Sequence, residues 1–145
     1  MSKRIVVVGG GVGGTMLANQ LVQKLYREVS RGEVSILLLS DSPDHYYKPA
    51  FMYVAFNLFF QEELKRPERS LLRPEIEFRV DKVTRFDFNA QQVTTRSGKR
   101  HGYDYLVIAT GCVPAPERIE GLREAGDHFY PVSYTHLTLP TNREV

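Results

Sequence analysis

Several features that define other protein classes are absent from this sequence of 145 residues. Cys112 is its only cysteine, so no internal disulfide can form, which suits a reducing compartment. The formal net charge of +2 is too small to indicate a nucleic-acid partner. The short apolar run after Met1–Arg4 leads directly into glycines rather than into a cleavage site, so we predict no signal peptide.

Long hydrophobic runs and metal-ligand patterns are also missing. The longest apolar stretch outside the strands, Ala50–Phe60, is too short to span a bilayer, and its aromatic residues favour a short helix on the core over a quinone site or membrane contact. The histidines lack the spacing of metal ligands, so no metal is predicted. The charged residues around Lys65–Arg69, Glu68 among them, are typical of a solvated surface. What remains is ordinary globular composition, 42% hydrophobic and 25% charged, enough for one domain with its own core.

Apolar periodicity indicates an α/β fold with a parallel sheet and a β-meander. Buried strands are predicted at Arg4–Val8 and Val34–Leu39, with a helix over Val12–Val29 between them, so the unit is a βαβ with a right-handed crossover. Ser40–Pro49 is predicted as a polar loop. The further predicted strands are Glu75–Val80, Val83–Phe88, Gln92–Arg96 and Tyr103–Ala109.

A glycine motif, G-x-G-x-x-G, joins the first strand to the helix. Gly9 permits a tight turn, Gly11 lets the backbone approach a pyrophosphate, and Gly14 allows close packing of helix on strand. Val12 and Gly13 lie at the helix N-terminus, whose free N–H groups and positive dipole end favour phosphate. Because the motif has the strand and helix it needs on either side, it predicts a dinucleotide site rather than a glycine-rich turn without ligand.

The end of the second strand offers two candidates for binding ribose. An acid is usual at this place, but here Ser40 occupies it and Asp41 follows. Either Asp41 or Ser40 reaches the ribose hydroxyls, or Asp41 only caps the turn with Ser42-Pro43.

The last strand ends in Ala109-Thr110-Gly111, small residues that leave room for a ligand at the sheet edge. With this strand end and the glycine motif, the sequence resembles the FAD domain of the two-dinucleotide-binding flavoproteins. That family includes disulfide reductases, type II NADH dehydrogenases and sulfide:quinone oxidoreductases. The resemblance covers Lys3–Tyr130 and implies a truncated Rossmann-like FAD-binding domain. It also implies that Ala109, Thr110 and Gly111 lie against FAD, and that the backbone of Lys82 and Val83 contacts the adenine.

Within this family the sequence is most similar to sulfide:quinone oxidoreductases. The resemblance is carried by Ser40-Asp41, by the loop containing Lys48-Pro49, which implies contact near the flavin, and by the segment from Ala115 to Tyr130. It implies that a longer enzyme oxidises sulfide and passes electrons through FAD to a quinone, as a cytoplasmic or peripheral membrane protein attached through a C-terminal part. Two alternatives stay open: a type II NADH:quinone oxidoreductase, which has a similar lysine-proline loop, and a non-catalytic nucleotide-binding module.

No catalytic residue is assigned. Cys112 directly follows the Thr-Gly turn, whereas the resemblance implies redox cysteines further along the chain, so Cys112 is interpreted as a small apolar filler beside the cofactor. Residues 1–130 are therefore expected to form the N-terminal part of an FAD/NAD(P)-binding domain.

Residues 131–145 are expected not to belong to the natural protein. The ten residues from Val132 to Thr141 resemble one reading frame of the transposase adapter used in tagmentation sequencing libraries. The alternative is a genuine strand and loop, since Tyr134, Thr135, Leu137 and Leu139 have fair β propensity.

Overall fold

The protein is described by a computed structural model that covers residues 2–112 and residue 120. The strands are β1 (Lys3–Val8), β2 (Val34–Ser40), β3 (Asp44–Tyr46), β4 (Lys65–Pro67), β5 (Glu77–Val80), β6 (Val83–Asp87), β7 (Gln92–Thr95), β8 (Arg100–Gly102) and β9 (Tyr105–Ile108). The α-helices are α1 (Val12–Lys24), α2 (Tyr26–Ser30), α3 (Phe51–Ala55) and α4 (Glu68–Leu71), with 3-10 turns at Lys48–Ala50 and Gln61–Leu64.

The main sheet has the strand order β5-β2-β1-β9, and every neighbouring pair is parallel. Its two central strands are apolar and buried from Ile5 to Val8 and from Ile36 to Leu39, as expected where both faces of a sheet are covered. The carboxyl ends of the strands therefore meet at one edge, where the chain turns from strand to helix or loop.

Alternate residues of the central strands supply two separate cores. Ile5, Val7 and their neighbours on β2 lie with Ala18 and Val22 of α1 on one face. Val6 and Val8 lie with Val93 of the β6-β7-β8 meander on the other face. The fold is thus three layers, helix, parallel sheet and meander. This confirms the predicted α/β class with a parallel sheet and β-meander.

The helix predicted over Val12–Val29 is divided in two. Its backbone leaves helical geometry at Leu25, where φ is −106° and ψ is 28°. Neither proline nor glycine marks this break, so no local signal in the sequence predicts it. The buried face of α1 includes Ala18 and Val22, which are fully buried, whereas Met16 is 55% exposed. The small Ala18 side chain lets the helix lie close to the sheet.

The prediction of a plain polar loop over Ser40–Pro49 was wrong in part. Asp44–Tyr46 forms β3, which pairs antiparallel with Lys65–Pro67 as β4. The two strands are three residues each and lie about twenty positions apart, so local alternation could not reveal their pairing.

The aromatic stretch does not lie in the core. A short helix is present, but Phe56 is 69% and Phe60 77% exposed, while Ala50 just before it is buried. Aromatic content predicts burial only where another element covers the segment, and no described element covers this one. The third strand of the meander, β8, was also not predicted. Among the described residues, no helix has both the length and the apolar character needed to cross a membrane.

Candidate dinucleotide-binding site

The turn after β1 has a backbone that only glycine can adopt at its first position. Gly9 has a φ of +112°, and a Cβ there would overlap the carbonyl oxygen of Ala109. At Gly14 a Cβ would overlap the carbonyl oxygen of Gly9 and lie 3.5 Å from the Ala109 Cβ. The start of α1 is therefore held closely against the ends of β1 and β9.

The middle of the same turn is open on its outer side. A Cβ on Gly11 or Gly13 would meet no atom within 4 Å. Gly11 is the N-cap of α1, and no side chain caps the helix or places an acid in its first turn. The first turn of α1 thus has uncapped N–H groups beside open space, and the helix dipole favours an anion at this end.

A cavity of about 290 Å³ lies beside this turn, at the carboxyl ends of the parallel strands. Its lining residues come from the ends of β1 and β2 and the residues that follow them, from the β5–β6 connection and the start of β6, and from the segment after β9: Val8, Gly9, Leu39, Asp41, Lys82, Val83, Thr110, Gly111 and Cys112. Small-molecule sites usually measure about 300–1,000 Å³. At about 290 Å³, the cavity is near the lower end of this range.

Most of the predicted cofactor residues meet here, and three do not: Ser40, Lys48 and Pro49. Gly9, Asp41, Lys82, Val83, Thr110 and Gly111 line the cavity. Gly11, Val12, Gly13 and Gly14 form the adjoining turn and helix start, and Ala109 supports that turn from behind. Lys48 and Pro49 begin a 3-10 turn after β3, and neither belongs to the cavity lining found in the described part of the chain.

Of the two ribose candidates, only Asp41 has its side chain on the cavity side. Ser40 is buried, and its Oγ accepts a hydrogen bond from the Ser42 amide at 3.3 Å. A Cβ on Gly10 would lie 2.7 Å from that Oγ, so Ser40 is packed underneath the glycine turn. Asp41 is exposed and lines the cavity.

The segment carrying Lys82 and Val83 is hydrogen-bonded to the main sheet on one side and to the meander on the other. The Asp81 amide donates to the Ser40 carbonyl at 2.8 Å, and the Lys82 carbonyl accepts from the Arg96 amide at 2.7 Å. The Ser97 hydroxyl donates to Asp81, and this hydrogen bond, followed by one from Thr95, lowers the pKa of the Asp81 carboxyl. The carboxylate therefore stays ionised and holds the meander beside the cavity.

Cys112 lines the cavity and is exposed. Its interpretation as a small apolar filler beside the cofactor stays a prediction. The described residues hold no group of three or more His, Cys, Asp or Glu side chains suited to a metal ion.

A buried polar cluster that the sequence reasoning missed lies beneath the turn. Glu68, interpreted from its neighbours as part of a solvated surface, is fully buried. Its carboxylate is 2.8 Å from Nδ1 of His45 and 2.5 Å from Oγ1 of Thr15. The charges that follow Lys65 gave no sign of this, because burial here depends on β4 pairing with β3.

This combination of parallel sheet, glycine turn and edge cavity defines a Rossmann-type dinucleotide-binding domain. A family model described as pyridine nucleotide-disulphide oxidoreductase matches residues 3–142. The chain belongs to the pyridine nucleotide-disulphide oxidoreductase family.

Known proteins similar to this chain act on quinones. It is 33% identical over 121 residues to the mitochondrial sulfide:quinone oxidoreductase of Dictyostelium discoideum, covering 83% of this chain and 26% of that protein. It is 31% identical over 123 residues to a type II NADH:quinone oxidoreductase of Staphylococcus epidermidis, covering 84% of this chain and 29% of that protein. The solved sulfide:quinone oxidoreductase of Aquifex aeolicus superposes with a TM-score of 0.70 at 36% identity, covering 85% of this chain and 27% of that one. The chain thus spans about a quarter of the length of such relatives, 26% for the first.

Proposed function

We propose that this chain binds FAD, with the adenosine end in the edge cavity and the pyrophosphate at the glycine turn. The observation that carries the proposal is the open space outside Gly11 and Gly13, next to uncapped N–H groups, in the same turn whose first residue, Gly9, lines the cavity. A turn built only for packing would not need glycine at these two positions, because a methyl group fits at both. The lack of a side chain at Gly11 and Gly13 is useful if another molecule must come close to the backbone there.

Each part of the dinucleotide then has a partner of suitable chemistry. The Asp41 carboxylate is proposed to accept hydrogen bonds from the ribose hydroxyls, since it lines the cavity whereas Ser40 is buried. The backbone of Lys82 and Val83 is proposed to lie along the adenine, and Thr110-Gly111 to bound the other side of the cavity. Ala109 is proposed to support the glycine turn by packing behind it. Lys48-Pro49 is proposed to contact the cofactor nearer its flavin end.

For the whole protein we propose sulfide:quinone oxidoreductase activity. When bound, FAD supplies a two-electron carrier between the donor and the quinone. The proposal is supported by the similarity to the Dictyostelium and Aquifex enzymes, at 33% and 36% identity. Peripheral attachment to the cytoplasmic membrane through a C-terminal part goes with this proposal, because the quinone acceptor is apolar.

A second candidate is a type II NADH:quinone oxidoreductase, favoured by the 31% identity to the staphylococcal enzyme. Sequence outside this chain would distinguish the two candidates. A second G-x-G-x-x-G followed by a strand ending in an acid would favour NADH as donor. Two further cysteines without that motif would favour sulfide.

Titration of the chain with FAD tests cofactor binding directly. We expect flavin fluorescence to change saturably, and Asp41→Asn to weaken binding more than Ser40→Ala does. The longer protein should then reduce a soluble quinone with sulfide and not with NADH. Turnover with NADH alone would support the second candidate, and absence of FAD binding in both chain and longer protein would contradict the proposal.

A further inference from the structure

The buried cluster beneath the glycine turn joins three separate elements. Thr15 comes from the first turn of α1, His45 from β3 and Glu68 from the start of α4, and all three are at least nine-tenths buried. The Glu68 amide also donates to the Pro43 carbonyl at 2.8 Å, which fixes the start of α4 to the residue just before β3. The cluster is therefore the point where the β3–β4 pair is fastened to the dinucleotide turn.

The hydrogen bonds of this cluster end on two carbonyl groups of the turn. His45 Nδ1 lies 2.8 Å from Oε2 of Glu68 and 3.1 Å from the Gly10 carbonyl oxygen. Both neighbours are hydrogen-bond acceptors, so Nδ1 carries a hydrogen and donates. Thr15 Oγ1 lies 2.5 Å from Oε1 of Glu68 and 2.9 Å from the Gly11 carbonyl oxygen. The hydroxyl has a single hydrogen, and the shorter contact makes Glu68 its main acceptor. The Gly11 carbonyl also accepts from the Thr15 amide at 3.0 Å, a backbone hydrogen bond at the start of α1.

These contacts determine which way the peptide groups of the turn point. A trans peptide is planar, so its carbonyl and the following N–H point in opposite directions. Holding the Gly10 carbonyl inward toward His45 turns the Gly11 N–H outward. The Gly11 carbonyl is held separately, by the backbone hydrogen bond from the Thr15 amide. Glycine permits either orientation of the peptide between Gly10 and Gly11. A flipped peptide would present a carbonyl oxygen to an anion, which would repel it.

We propose that Glu68, itself held by the Thr15 hydroxyl, is a positioning residue that acts through His45 to hold the turn with the Gly11 N–H directed at the pyrophosphate. The inference rests on the proposed dinucleotide function and adds to it the residues that orient the turn. For this role we expect the hydrogen bonds of the Glu68 side chain to matter rather than its charge. Glutamine can accept from His45 through its oxygen and donate to Thr15 through its nitrogen, and Thr15 then donates to the Gly11 carbonyl.

The test compares adenosine with ADP, because only ADP carries the pyrophosphate. Dissociation constants for both ligands and for FAD are measured on the full chain and its variants. Thr15→Val, which is nearly isosteric, should weaken ADP and FAD about ten- to hundredfold and change adenosine binding less than about threefold. Thr15→Ser should restore ADP binding, and Glu68→Gln should stay within about threefold of the original chain.

Asn19→Ala is the matched control. Asn19 also ties α1 to the segment after α4, through the Leu71 carbonyl at 2.8 Å and the Arg73 amide at 2.9 Å, but it does not touch the turn. It should lower the melting temperature and leave the ratio of the ADP and adenosine constants unchanged.

The ways in which the test can fail are distinguishable. If the original chain binds ADP no more tightly than adenosine, the proposed function fails and this inference fails with it. If it prefers ADP, but Thr15→Val weakens both ligands equally or neither, then Glu68 and Thr15 are structural only and the inference is overturned. Loss of ADP binding in Glu68→Gln, with its melting temperature retained, would show that the charge matters and would also overturn it.

Discussion

Replacing Gly11 with valine should separate cofactor binding from folding. Gly11 has a φ of −82° and a ψ of −178°, an extended conformation that valine adopts readily. Its Cβ would meet no protein atom within 4 Å. The free energy of unfolding without ligand should therefore change by no more than about 1 kcal/mol, the range of an N-cap substitution.

The effect on FAD should be far larger. The new side chain would occupy the space outside the turn, so the pyrophosphate could not approach the N–H groups at the start of α1. Each hydrogen bond from such a group to a charged oxygen contributes about 1.5–3 kcal/mol. Loss of two of them, about 3–6 kcal/mol, corresponds to a dissociation constant raised roughly 10²- to 10⁴-fold.

Flavin titration and thermal melting of the same samples measure both quantities. Gly14→Ala serves as the contrasting variant, because its Cβ would overlap the Gly9 carbonyl oxygen. That variant should lose stability by about 1–3 kcal/mol, as an overpacked site does, and lose FAD together with it. A Gly11→Val chain that still binds FAD within a few-fold of the original would refute the placement of the pyrophosphate.

Four further predictions concern other parts of the chain. Saturating FAD should slow the alkylation of Cys112 several-fold, because this only cysteine lines the cavity; an unchanged rate, with Cys112→Ser as the unlabelled control, would contradict it. Burial, followed by the charges of Arg4 and Arg79, lowers the pKa of His101 below its ordinary 6.5, so the folded state binds that proton less readily than the unfolded chain. Stability should therefore fall as pH drops through 6.5 toward the folded pKa, and His101→Phe should reduce this loss in denaturant melts at about pH 7.5 and 5.5. The chain alone should reduce no quinone with sulfide or NADH, since it spans 26% of the Dictyostelium enzyme; turnover comparable to such an enzyme would disprove this. Long-read sequencing of the source DNA should show a different sequence in place of residues 131–145. Recovery of the same residues followed by further coding sequence would contradict this prediction.

The layers of the fold could be predicted because the deciding signals are local. Continuous apolar runs such as Val6–Val8 and Leu37–Leu39 are typical of strands covered on both faces, and both are buried in the central strands. The glycines between β1 and α1 likewise mark a turn whose geometry depends on residues next to one another. By contrast, the pairing of β3 with β4 joins segments about twenty residues apart, and neither segment alternates long enough to be noticed.

The same distinction explains which parts of the site stayed hidden. Ser40 and Asp41 were both visible as candidates, but the choice between them depends on Gly10, against which Ser40 is packed. Glu68 is the stronger case, because a glutamate between basic residues ordinarily faces water. It is buried since β4 brings it to two hydrogen-bond donors, His45 and Thr15, that satisfy its carboxylate. A buried acid with both oxygens paired, placed under a turn of glycines, is a feature that arises only from tertiary contacts. It also supplies what the glycines themselves lack, a means of holding one orientation of the turn.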